Sequence, residues 1–202
     1  MQKELASCGD SAVATLQASA GTNETMGIEG YWHVECRDAQ GNLKWNEEFP
    51  NLVVAVGKQL MLDTLLKGSS YSVTGPYLGL TKVSLTPAAT DTMTTLVTTN
   101  AAEFINYTVG GSAVRGTAVF ASSTSTGSTP SNVTSSTATA ITYTITGAGG
   151  TVYGCFLVLG SGASSTQSNT GGTLYSEGNF SVAKTTTAGD TISVTYSTTA
   201  TS

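Results

Sequence analysis

Between Tyr31 and Gly68 the period of the sequence changes from two to about four, and that switch limits what the chain can fold into. In Tyr31-Trp32-His33-Val34-Glu35-Cys36-Arg37 the side chains alternate. Trp32, Val34 and Cys36 fall on one side, and Tyr31, His33, Glu35 and Arg37 on the other. Such alternation marks a strand with one face in a core and one in water. Ala39-Gln40-Gly41-Asn42 supplies a turn, with Gly41 free to take positive φ. Residues 43–49 form the return strand, with Leu43, Trp45, Glu47 and Phe49 on one side. Glu47 interrupts that apolar side, so a bend or bulge is expected there. From Val54 to Lys67 the spacing becomes helical. Val53, Val56, Leu60, Met61, Thr64 and Leu65 share a stripe, and Lys58, Gln59 and Asp63 lie opposite. Lys67 in the last turn and Gly68 after it form a stop. Gly57 costs roughly 1 kcal/mol against alanine inside a helix. A close helix–sheet contact would account for it.

The remainder reads as strands between turns. Pro76–Leu80, Phe104–Val109, Arg115–Ala121 and Ala138–Ile145 are expected strands, and residues 84–100 and 122–136 are expected irregular. Val152–Leu159 is the most apolar run, so it is expected to be a central strand buried on both faces. Leu174–Val182, interrupted at Gly178, and Thr191–Tyr196 complete the set. The fold class that follows is mainly β, a β-sandwich or jelly-roll-like domain with one inserted α-helix at about 54–67. Residues 29–202 form that domain, and residues 1–28 are read as an N-terminal arm ordered on assembly. Trp32, Trp45, Leu60, Phe156 and Tyr196 are expected to anchor the structure.

Charge is scarce. Charged residues make up 10% of the 202-residue chain, with 8 basic against 13 acidic side chains. That balance argues against nucleic-acid binding, which needs a concentrated Lys/Arg surface. Only Glu177, Lys184 and Asp190 carry charge beyond residue 116, which suits a surface covered in an assembly. Met1-Gln2-Lys3-Glu4 leads into no apolar signal segment, and no apolar run is long enough to span a bilayer. Cys8, Cys36 and Cys155 are too widely spaced for a disulfide framework or a zinc site. Cys36 and Cys155 read as small buried hydrophobes.

No catalytic constellation is visible. His33 is the only histidine and lies mid-strand on the polar side. Glu47 and Glu48 are adjacent, so in a strand they point to opposite faces, which is poor geometry for paired acid–base work. No phosphate-binding or nucleophile-elbow motif occurs, and no cofactor is expected. Arg115 is the only arginine after Arg37, and Glu103 is the nearest carboxylate, so a structural ion pair is expected between them.

Trp32-His33-Val34-Glu35, Leu43-Lys44-Trp45, Asn51-Leu52-Val53-Val54, the helix, and Tyr77-Leu78-Gly79-Leu80 occur in that order. Ala88-Ala89-Thr90-Asp91-Thr92-Met93 follows, then Glu103-Phe104 with Tyr107 and Arg115, then Gly172-Thr173-Leu174-Tyr175, and finally Ala188 to Tyr196. Across roughly residues 29–197 this arrangement resembles a family of small tailed-bacteriophage virion proteins encoded near the major capsid gene. The family's Trp/Phe-Tyr-Ile/Val-Gly-Leu motif is altered here, where Pro76 replaces the aromatic residue and Leu78 the β-branched one. The resemblance implies a non-enzymatic capsid cement or decoration protein on the capsid surface of the virion, made in the host cytoplasm. Its partner would be the major capsid protein, and it would sit on the shell as a dimer or trimer, with no nucleic acid or membrane bound. His33, Glu35, Arg37 and Lys67 are the expected partner contacts. Another virion role (tail, head–tail joining or head fibre), a carbohydrate- or receptor-binding β module, and a glycosidase-like enzyme are the alternatives.

Overall fold

The computed structural model describes residues 27–66, 74–124, 131–133 and 140–201. The expected arm, apart from its last two residues, and Lys67 with the expected helix stop lie outside these. The described residues form a mainly β structure with two sheets and one α-helix, and neither sheet closes into a barrel. In chain order the elements are β1 (Gly27–Arg37), β2 (Leu43–Pro50), β3 (Leu52–Val53), α1 (Ala55–Leu66), β4 (Tyr77–Thr81), β5 (Glu103–Phe104), β6 (Tyr107–Thr108), β7 (Gly116–Thr117), β8 (Ser131–Val133), β9 (Ile141–Ile145), β10 (Gly150–Leu159), β11 (Thr173–Thr186) and β12 (Thr191–Thr201).

All pairings are antiparallel. The first sheet has the order β2-β1-β12-β9-β6, with β8 beside the far end of β12. The second has the order β3-β11-β10-β4-β5, with β7 also paired to β4. Strand parity in β1 builds the core. Trp32, Val34 and Cys36 stand opposite Tyr196, Val194 and Ile192 of β12, and all six are fully buried. They pack with Tyr143 and Ile145 of β9 and, from the second sheet, with Leu78, Leu80, Cys155 and Leu157. The other face of β10 carries Phe156 and Val158, which pack under Leu85, Met93, Leu96 and Leu174. β10 is therefore buried on both faces, as its unbroken apolar run predicts.

Several expectations change. Residues 84–100 are not an idle loop: Met93 and Leu96 are buried and a π-helical turn spans Thr95–Thr99. The expected strand Phe104–Val109 is two short ones, β5 in the second sheet and β6 in the first, because the chain crosses between sheets at Ile105-Asn106. The expected strand Arg115–Ala121 shortens to Gly116–Thr117, and the expected loop 122–136 contains β8. β11 runs unbroken through Gly178, whose missing side chain leaves room for Phe49 and the Pro50 carbonyl. The bulge between β1 and β2 falls at Lys44, between the pairs Cys36–Trp45 and Arg37–Leu43, and not at Glu47. Glu47 needs no bulge because it is satisfied across the fold: Lys184 lies 2.8 Å from its carboxylate and the Ser181 amide donates to it.

Helix α1 packs against β11 through Gly57. A Cβ at Gly57 would lie 2.5 Å from the Tyr175 carbonyl oxygen, so only glycine allows this approach. Leu60 is buried beneath the helix, Val56 and Met61 are half-buried, and Thr64 and Leu65 of the expected stripe are exposed.

Candidate functional site

Three surfaces concentrate the side chains singled out by the sequence. The first is the outer face of β1 and β2. His33 Nδ1 lies 3.0 Å from Glu48 Oε1. Arg37 donates through Nε to Glu35 at 2.6 Å and through Nη1 to the Gly41 carbonyl at 3.0 Å. The Asp38 carboxylate accepts from the Gln40 and Asn42 amides and from the Asn42 side chain, and these bonds hold its pKa below the usual carboxylate range. His33, Glu35 and Arg37 thus share one strand face. Each already has a partner within the hairpin, and exposed pairs of this kind contribute about 0–1 kcal/mol.

The second is a buried polar node. The structure brings Glu103 and Arg115 together in a bidentate pair, with Nε–Oε1 at 2.8 Å and Nη2–Oε2 at 2.7 Å. Arg115 is 1% exposed and Glu103 4%. The remaining donors of Arg115 reach the Ser164 and Asn169 carbonyls, and the Ser168 amide donates to Glu103. The guanidinium also stands 5.3 Å from the centroid of the Phe156 ring. A planar fork with five donors suits this task, because it can satisfy a carboxylate and two carbonyls at once. The pair therefore fixes more than the 103–115 connection: it moors the loop between β10 and β11.

The third is apolar. A cleft of about 400 Å³ opens between α1 and the ends of both sheets. Leu60, Met61, Leu65, Phe120, Tyr175 and Tyr196 form its walls. The Tyr175 hydroxyl donates to the Met61 sulfur at 3.2 Å, and the Tyr196 hydroxyl accepts from Asn51 at 2.7 Å. Burial raises the pKa of both phenols. Beside the cleft, Leu62, Leu65 and Leu66 are 48%, 78% and 73% exposed, a run of leucines that no described residue covers.

The expected anchors fall in different settings. Trp32 and Tyr196 pack at a tilt in the core with ring centroids 4.4 Å apart, and Phe156 is buried under residues 85–102. Leu60 underlies α1. Trp45 is only half-buried and packs edge-on to Phe180, with Lys184 5.7 Å from its centroid. Cys36 and Cys155 are free and buried. Burial pushes the Cys36 thiol up to about 11, with Asp190 adding to it, and raises Cys155 further. Neither is an activated thiolate. Among the described residues no three His, Cys, Asp or Glu side chains converge as a metal site would require. Glu47 turns toward Lys184 while Glu48 turns toward His33.

Two features escaped sequence reasoning. The stripe includes Leu65 and leaves Leu62 and Leu66 out, and it does not mark any of them as exposed, because α1 is apolar on more than one side. Glu177 reads from the sequence only as one of three charges beyond residue 116, yet it is 1% exposed. Its strand parity with Tyr175, two residues earlier, is the available signal. Comparison with protein-family models, with curated proteins and with solved structures finds no match to this chain.

Proposed function

We propose that this protein is a non-enzymatic structural component of a tailed-phage particle, a cement or decoration protein that binds and stabilises the lattice of the major capsid protein. The reading rests on the resemblance across residues 29–197, and one structural observation supports it. The exposed leucines of α1 beside the apolar cleft form a sticky ridge, and Leu65 and Leu66 are the most exposed large apolar side chains among the described residues. We read the two sheets as the layers of a sandwich, with rings from both in one core and α1 across one open side.

Burying a leucine fully contributes about 1.5–3 kcal/mol, so a ridge of this size gives weak contact per copy. Repetition over a shell, or oligomerisation, would convert weak contacts into firm attachment. The paired charges at His33, Glu35 and Arg37 would set orientation at the rim, where charges steer more than they bind. A glycan platform is disfavoured because Tyr31 is the one aromatic among the exposed large apolar side chains of the described residues.

The test is decoration of purified shells. Wild-type protein should bind in many copies per particle, while Leu65→Glu and Leu66→Glu together should abolish binding and leave the circular-dichroism spectrum and melting temperature unchanged. Absence of the wild-type protein from shells would end the proposal. A few copies at one vertex would favour a head–tail or fibre role instead.

A further inference from the structure

The carboxyl group of Glu177 is buried beside another carboxyl and no base. β3 places Leu52 opposite Glu177 and β10 places Phe156, neither of which titrates. Its Oε1 has no hydrogen-bond partner. The groups that act on it are the Asp91 carboxyl, within hydrogen-bond reach, and the Ala88 amide; among the described residues no lysine or arginine contributes. Burial and then Asp91 push its pKa up to about 8.

The surroundings tie this contact to a larger piece of structure. Asp91 Oδ2 accepts from the Ala88 amide at 2.7 Å, closing the turn 88–91. The Ala89 carbonyl accepts from the Ala55 amide at the start of α1 at 2.8 Å. Two residues further along β11, Asn179 donates to the Leu85 carbonyl at 2.7 Å and accepts from its amide at 3.2 Å. Glu177 and Asn179 thus stitch residues 85–91 to β11, and the following residues bring Met93 and Leu96 down onto Phe156 and Val158.

We propose that Glu177 keeps its proton in the fold and turns it toward Asp91, a pH-operated latch that holds residues 85–102 on the second sheet. The protonated Glu177 donates its O–H to an oxygen of Asp91. Hydroxide removes that proton as water and leaves two carboxylates in contact at low dielectric, where they repel. The folded protein holds this proton over a window, from the ordinary carboxylate range up to about 8, in which the unfolded chain does not. The latch's contribution is therefore full below that window, declines as pH rises through it, and is gone above it.

Hydrogen exchange of the full chain between about pH 6 and pH 9, corrected for intrinsic rates, tests the latch. Amides in 85–102 should lose protection about tenfold or more across that range, while those of β1 and β12 stay constant. Glu177→Gln keeps a donor toward Asp91 without the titration, so it should remain protected at both ends. An equal loss in Glu177→Gln, or no loss in the wild type, overturns the proposal. Should that variant fail to fold, carboxyl carbon NMR on the wild type decides. One carboxyl titrating near pH 8 upholds the latch, and all titrating below about pH 6 sinks it. Calcium that restores protection at pH 9 in the wild type but not in Asp91→Asn would identify a cation site instead, and would equally overturn it.

Discussion

Replacing Arg115 with methionine removes a buried side chain that makes four hydrogen bonds. The side chains fit roughly, so the change removes charge and hydrogen bonds more than volume. Lost are the two bonds to Glu103, the bonds to the Ser164 and Asn169 carbonyls, and the contact with the Phe156 ring. Glu103, 4% exposed, keeps only the Ser168 amide as a partner. Removing one member of a buried pair typically costs about 3–5 kcal/mol, because the other charge is left without compensation. For a chain of this length each kcal/mol lowers the melting temperature by about 2–4 °C, so a fall of roughly 6–20 °C is expected in calorimetry. The double variant Glu103→Leu with Arg115→Met should recover part of the loss, since an apolar pair leaves no buried charge. Hydrogen exchange should show residues 163–170 loosened in the single variant. A melting temperature within about 2 °C of wild type, or unchanged protection in that loop, would refute the claim that the pair moors the loop.

Gly57→Ala opposes two effects: helix propensity favours alanine by about 1 kcal/mol, whereas the new Cβ meets the Tyr175 carbonyl. Overpacking against backbone should win, with a net loss of about 1–3 kcal/mol in urea denaturation. At acid pH the controlling groups are Asp190 and Glu47. Burial pushes both carboxyls up, but Lys44 with the Thr187 amide outweighs it at Asp190, and Lys184 with the Ser181 amide at Glu47, so both pKa values end below their usual range. Their contribution is present above the ordinary carboxylate range and is lost as pH falls through the lowered folded values. Asp190→Asn should reduce stability at neutral pH and flatten the melting curve against pH below about 4. Leu65→Glu alone should change stability by no more than about 0.5 kcal/mol, because that side chain is 78% exposed.

How legible the fold was depended on the range of the interaction that decides each part. Trp32, Val34 and Cys36 were readable as a core face because alternation is a local property of one strand. The same holds for Ile141, Tyr143 and Ile145 in β9, which alternate buried and exposed. The crossing between sheets at Ile105-Asn106 was not readable. Two short strands with two residues between them look like one strand, and only their separate partners, β4 and β9, divide them. Residues 84–100 looked irregular because their apolar residues follow neither period, yet Met93 and Leu96 are held by the sheet beneath them. The helix was readable, and Val53, Val56, Leu60 and Met61 of its stripe turn inward, but the stripe ends before Thr64 and Leu65. With leucine on more than one face, the orientation of α1 is set by Gly57 against Tyr175 together with the inner part of its stripe.

The sequence by itself determined the mainly β character, helix α1, the inward side of β1 and the double burial of β10. These follow from side-chain periodicity and from the shortage of charge. It also named Glu103 and Arg115, since a lone arginine in a charge-poor region has few possible partners. Tertiary structure alone decided what that arginine does with its other donors, which carboxylate stands beside Glu177, and which leucines of α1 remain in water. Each of those outcomes is set by groups distant along the chain brought within a few ångströms by strand pairing. Periodicity carries no information about such meetings, because it fixes which side of an element is buried and not what buries it.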